Sequence, residues 1–204
     1  GAWFTLCIVA ALVGISMCIR KHYNSIAQIL SKLIWHIPPK QPRAVSEICL
    51  DTSLHTVVLF ASNLKNLTLN SVEETIKLFG NSIDHFVLMQ VGLIDAGNFK
   101  GQRELEKLQE HTYMEVDKIA SLIRKEGYSV ECLVSTGLDI GDEVARLAQE
   151  VHARHPSCIF VGGQLVFPHE TIISRWLHNQ TLYIIQRRIH ELAYPFITIP
   201  VYME

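Results

Sequence analysis

The chain carries little net charge. Eighteen Lys and Arg stand against 20 Asp and Glu, leaving −2 over 204 residues with neutral histidines. That balance excludes a strongly basic nucleic-acid binder and an acidic solvating tail. Chain breakers are few as well, with 11 Gly and 7 Pro. Repeats and low-complexity stretches are absent, and 49% of residues are apolar against 19% charged, so a disordered chain is excluded. The five cysteines (Cys7, Cys18, Cys49, Cys132, Cys158) form no C-x-x-C pair, which argues against zinc-finger and thioredoxin-type sites. Cys132 and Cys158 fall in apolar strand-like runs, where Cys behaves as a small hydrophobe, and a reducing compartment suits such thiols. The Walker loop, the G-x-S-x-G elbow and H-E-x-x-H are missing too. No staple is required, because a domain of about 150 residues buries close to 70% of its unfolded surface.

What the chain does have is a long apolar run at its start. Ala2 to Ile19 is 18 residues without a charge, followed by Arg20-Lys21-His22. At 1.5 Å per residue such a helix spans about 27 Å, nearly the hydrocarbon thickness of a bilayer. A buried core helix and a signal peptide are the competing readings. The signal peptide would want its basic cluster before the run and a small-residue cleavage site after it. Here the basic cluster follows, which predicts a transmembrane helix over residues 1–21 with its C-terminal end in the cytoplasm. The absence of a starting Met leads us to expect a fragment whose further membrane domain lies upstream.

Residues 22–44 read as an amphipathic juxtamembrane helix and linker. Tyr23, Ile26, Ile29, Leu30, Leu33 and Ile34 recur at helical spacing, with Lys21, Asn24, Gln28 and Lys32 opposite. Tyr23 and Trp35 suit the membrane interface or a packing surface on the next domain. Pro38-Pro39 should end the helix, and Lys40 to Arg43 should continue as a stiff linker.

From residue 45 to 204 the pattern alternates. Apolar runs at His55–Ala61, Phe86–Val91, Ser129–Val134, Cys158–Val161 and Phe196–Tyr202 predict five strands. Between them, Asn63 to Asn70 reads as a polar loop. Helices are expected over Ser71–Phe79 with Glu73 and Glu74 in the first turn, Lys100–Glu126, Asp139 or Ile140 to His155, and His169–Ala193. Nearly continuous apolar strands separated by helices imply an α/β fold with a five-stranded, mostly parallel, doubly wound sheet. Gly127 should stop the long helix, and Pro200 should lie near a strand end or on an edge strand.

Five strands, four helices and Gly162-Gly163 closing the fourth strand resemble the universal stress protein family, a Rossmann-like fold, over Thr56 to Glu204. In nucleotide-binding members a G-x2-G-x9-G-S/T stretch follows that strand, and its backbone amides cradle phosphates. This chain departs from it. Gln-Leu-Val-Phe-Pro-His follows Gly163, His178-Asn179 stands where G-S/T is expected, and Ala61-Ser62-Asn63 replaces a strand-one Asp.

A second resemblance rests on segment order. A membrane helix, a juxtamembrane R-K-H-Y-x-x-I-A stretch, a Pro-containing linker and a stress-protein-like domain resemble the C-terminal end of bacterial amino acid–polyamine–organocation superfamily transporters, in particular KimA-type potassium importers. G-G-Q-L-V-F-P-H-E-T and L-H-N-Q-T-L-Y-x-I-Q-R-R are similar to segments of such domains. The resemblance implies a cytoplasmic, non-catalytic regulatory domain at a homodimer interface on the inner membrane, with cyclic di-AMP a candidate effector. A membrane-tethered sensor of ATP, AMP or cyclic di-AMP is the alternative, and an α/β hydrolase-like enzyme ranks last.

Ligands of doubly wound sheets bind at the carboxyl ends of the strands. That makes Ala61, Ser62 and Asn63 candidates after strand one, Val91 and Gly92 after strand two, and Gly162, Gly163 and Gln164 after strand four, with His178 and Asn179 beyond. At Gly163 any side chain would block a close backbone approach; a tight turn is the competing use. No metal site is expected: His152 and His155 are three apart, His36, His169, His178 and His190 are scattered, and none has a ligand spacing. Asp84, Asp95, Asp139 and Asp142 form no evident carboxylate pair. Arg175, Arg187 and Arg188 could line a basic strip, more simply a solvated helix face.

Overall fold

The computed structural model describes residues 2–41, 55–62, 64–94, 101–166 and 180–202. It divides into two compact units, residues 1–34 and 35–204.

The first unit is one unbroken helix, α1 (Ala2–Lys32). Every residue from Ala2 to Lys21 is exposed. It is long and apolar enough to cross a membrane. The helix stops six residues short of Pro38. Trp35 and Ile37 leave the helical path and pack into the core of the second unit, with Ile37 3% exposed. Proline disfavours a helical conformation in the residue before it, so Ile37 is free to make that contact in extended backbone. The backbone amide of Lys40 then donates to the carbonyl of Glu126 (2.7 Å), and its ammonium pairs with Asp84. Residues 42–44 of the expected linker lie outside the described residues, as does Cys49.

The second unit alternates strand and helix throughout. β1 (His55–Phe60) leads to α2 (Lys65–Phe79), β2 (Ile83–Leu93), α3 (Gln102–Lys125), β3 (Ser129–Gly137), α4 (Ile140–Arg154), β4 (Ile159–Val166), α5 (Gln180–Glu191) and β5 (Phe196–Tyr202). The sheet has the order β3-β2-β1-β4-β5, and every neighbouring pair is parallel. This is the doubly wound α/β architecture that the strand–helix alternation predicts.

The pleat explains why the strands are apolar on both sides. Val57 and Leu59 of β1, Phe86 and Leu88 of β2 and Val161 of β4 point to one face. There they meet Leu69, Val72 and Ile76 of α2 and Val116, Ile119 and Ile123 of α3. The alternate residues Val58, Val87, Met89 and Phe160 point to the other face, against Val144, Leu147 and Val151 of α4 and Ile185 and Ile189 of α5. Each face is thus a separate core, and nearly every strand position is apolar.

Several local features differ from the sequence reading. α2 begins at Lys65, so most of the expected Asn63–Asn70 loop is helix. Leu67, Leu69, Val72 and Ile76 form its buried stripe. Its polar positions stay satisfied inside the helix: the Ser71 hydroxyl donates to the Leu67 carbonyl (2.8 Å) and Thr75 to that of Ser71 (2.5 Å). Glu73 and Glu74 consequently sit mid-helix rather than in the first turn, where Glu73 pairs with Lys77 (2.8 Å) and accepts from the His36 amide (2.7 Å). α3 ends at the left-handed Gly127 (φ 92°). α4 is capped by Asp139, whose carboxylate accepts from the Asp142 amide. Pro200 lies on β5, an edge strand. The part of the expected His169–Ala193 helix that is described runs from Gln180 to Glu191.

Candidate functional site

The strand order reverses between β1 and β4. From β1 the chain moves outward through β2 to β3 on one side, then crosses back to place β4 and β5 on the other. Such a reversal splays the connections apart at the carboxyl ends and opens the crevice in which doubly wound sheets hold ligands.

Ala61 and Ser62 stand at that point. The Ala61 amide donates to the Met89 carbonyl (2.8 Å) and so extends the sheet by one rung. The Ser62 amide donates to the Thr68 hydroxyl (3.0 Å), and the Ser62 hydroxyl accepts from the Leu64 amide (3.1 Å). These bonds turn the chain from β1 into α2. The first turn of α2 holds no acidic residue, Lys65 opens it, and its Leu64 cap supplies no side-chain acceptor. With no acidic side chain in that turn, the positive end of the helix dipole favours an anion there. Asn63 lies outside the described residues, and so do His178 and Asn179 beyond β4.

The remaining candidates are inside strands. Val91 and Gly92 are paired with Ser135 and Thr136 within β2, which runs on to Leu93. A Cβ on Gly92 would press on Thr136 (3.2 Å) and Thr112 (3.3 Å), beneath α3. Gly162, Gly163 and Gln164 are likewise within β4, opposite Thr198, Ile199 and Pro200 of β5. The strand therefore does not end at the two glycines, and they make neither a turn nor a free cradle. A Cβ on Gly163 would overlap the Ser71 hydroxyl of α2. One on Gly162 would overlap Leu182 of α5 and approach the Phe196 ring (2.8 Å). Both glycines let a helix lie close on the sheet, one on each face. Among the described residues, Ser62, Lys65 and the first turn of α2 stand at this edge.

Next to this edge, the end of β3 carries a polar cluster. The Ser135 hydroxyl donates to Glu143 (2.6 Å), and Arg146 donates to both (2.9 Å each). The Ser135 bond first and then Arg146 hold the Glu143 carboxyl below its ordinary range. The aspartates are spoken for elsewhere: Asp84 by Lys40, Asp139 as the α4 cap, and Asp142 by Arg188 (2.9 Å). Arg187 and Arg188 also pair with Glu191, so this strip is a charge-balanced face; Asp95 and Arg175 lie outside the described residues. A shallow groove along α5, lined by Tyr183, Gln186, Arg187, His190 and Glu191, has that helix as its one wall.

At the opposite, amino edge of the sheet the structure assembles a group that sequence spacing does not reveal. His85, Glu131 and His155 come from β2, β3 and the cap of α4, and their donor atoms lie within 4.8 Å of one another. His152, three residues from His155, instead stacks on Tyr194 (4.1 Å). Burial and the neighbouring His155 push the His85 imidazole below its ordinary pKa, against the pull of Glu131.

No protein-family model matches this sequence, and no curated protein sequence does either. Solved structures do resemble it. A universal stress protein family member from Burkholderia pseudomallei aligns with 74% of this chain and 99% of its own, at 11% identity and a TM-score of 0.51. A universal stress protein in complex with cAMP aligns with 75% of this chain and all of its own, at 16% identity and a TM-score of 0.44. The first of these alignments gives the α/β unit a universal stress protein-like fold.

Proposed function

We propose that this chain is a membrane anchor followed by a non-catalytic regulatory domain that faces the cytoplasm and responds to an adenine nucleotide. One observation carries the reading. The charge-free run Ala2–Ile19 lies within a single 31-residue helix, exposed along its apolar length, and Arg20-Lys21-His22 follows it directly. A continuous helix satisfies its own backbone groups in lipid, and a basic cluster on its C-terminal side favours retention of that side in the cytoplasm. The domain that follows is then cytoplasmic, at the inner membrane of a bacterium.

The partner is the membrane protein to which this helix belongs, a transporter of amino acids or of cations such as potassium, and the domain pairs with a second copy of itself. The effector is ATP, AMP or cyclic di-AMP, bound where the strand order reverses. Its phosphate faces the first turn of α2, Lys65 and Ser62, since a helix N-terminus with no acidic residue and a cation beside it favours an anion. Gly162 and Gly163 take no part in that contact because α5 and α2 already fill the space beside them.

Protease accessibility in oriented membranes tests the anchoring. In inside-out vesicles the α/β domain should be digested and α1 retained, and alkaline washing should leave the chain in the membrane. Protection of the domain in inside-out vesicles, or release by the wash, would overturn the reading.

A further inference from the structure

We propose that His85, Glu131 and His155 form a binding site for a zinc-type divalent cation at the amino edge of the sheet. The sheet register builds it. Thr56 of β1, His85 of β2 and Ser129 of β3 are direct neighbours across three strands, and Glu131 stands two residues further along β3 on the same face. His155, the residue that ends α4, closes over that row. His85 Nε2 lies 3.8 Å from Glu131 Oε2, the two imidazole centroids are 5.3 Å apart, and one donor atom from each residue falls within 4.8 Å of the others. Zinc bonds of about 2.0–2.2 Å in tetrahedral geometry place donors roughly 3.3 Å apart. Binding of the ion would draw the three donors inward by side-chain rotation.

The surroundings of the three residues are the stronger argument. Each has a partner on its far side. Ser129 holds Nδ1 of His85 (3.0 Å), and Thr56 stands at Nδ1 of His155 (3.4 Å). Arg154 holds Oε1 of Glu131 (2.7 Å), leaving Oε2 toward His85. Metal-binding histidines and carboxylates are oriented by this kind of outer contact, which fixes the imidazole tautomer and leaves Nε2 to the ion. Two imidazoles and one carboxylate suit Zn2+ rather than Mg2+ or Ca2+, which favour all-oxygen sets. Three protein donors leave a fourth position for water or an incoming group. An ion here would tie the starts of β2 and β3 to the end of α4, and it would bind the folded chain alone.

The test is calorimetric titration of the full chain in detergent micelles with ZnCl2, together with the visible spectrum of the Co2+ form and the thermal midpoint with and without zinc. The expected result is one equivalent bound, a tetrahedral Co2+ spectrum without thiolate charge-transfer bands, and a raised midpoint. His85→Gln and His155→Gln should each weaken binding at least tenfold, and Glu131→Gln, which is nearly isosteric, should do the same if the histidine variants fold poorly. His152→Gln should leave binding unchanged. Absence of saturable binding at micromolar zinc would overturn the proposal. So would binding that survives Glu131→Gln and either histidine variant, which would place the ion elsewhere.

Discussion

The Cβ that Gly163 lacks would occupy the space held by the Ser71 hydroxyl, so α2 rests on β4 through these two residues. Ser71 is 1% exposed and its hydroxyl is tied to the Leu67 carbonyl, so it has little room to yield. Gly163→Ala should therefore cost about 1–3 kcal/mol, the usual penalty of overpacking. Removing the hydroxyl as well, in Gly163→Ala with Ser71→Ala, should restore most of the loss. Denaturant unfolding of the four species measures this, and simple additivity of the two changes would show that the contact does not set the cost.

Ile37 belongs to the core of the α/β unit although it precedes the first strand by some eighteen residues. Ile37→Ala should lower stability by about 2–5 kcal/mol, the range for a buried aliphatic residue that leaves a cavity. A change below about 0.5 kcal/mol in urea unfolding, the size of an ordinary surface substitution, would show that the segment only lies against the domain.

Glu143 supplies a pH dependence with a defined sign. Ser135 and Arg146 favour its ionised form in the folded state, so its folded pKa lies below the unfolded value of about 4.3. The unfolded chain then binds the proton more readily, and the stability Glu143 contributes is full above that value and lost as the pH falls through the folded pKa. Glu143→Gln should be less stable than the parent at pH 7, and the gap should narrow below about pH 4. A gap that is constant from pH 7 to pH 3 would contradict this assignment.

Lys65 is the cation in the first turn of α2. Lys65→Glu places a like charge beside the phosphate and should weaken nucleotide binding roughly tenfold or more, with no change in zinc binding at the far edge of the sheet. Parallel titrations of the one variant read both effects, and equal nucleotide affinity would remove Lys65 and the α2 terminus from the site.

The fold was legible because burial on both sheet faces writes itself into each strand as an unbroken apolar run, as in Phe86 to Val91. The chain between β1 and Ser71 was less so. Asn66, Thr68 and Asn70 look like loop residues, yet they alternate with Leu67 and Leu69, whose burial decides for helix. Gly162-Gly163 carried a true signal of close approach, but sequence cannot tell a phosphate from a neighbouring helix as the thing that approaches. The His85–Glu131–His155 group was out of reach for a different reason. Its members are 24 to 70 residues apart, and only the register of β2 with β3 and the packing of the end of α4 over it bring them together.

The most direct measurement is calorimetric titration of the full chain in detergent micelles with ATP, AMP and cyclic di-AMP, with light scattering to give the oligomeric state. The account predicts saturable binding of one of the three near micromolar affinity by a dimer, weakened roughly tenfold or more in Lys65→Glu and retained in a folded Gly163→Ala. No binding of any of the three, or binding that Gly163→Ala abolishes while Lys65→Glu leaves it intact, would contradict it.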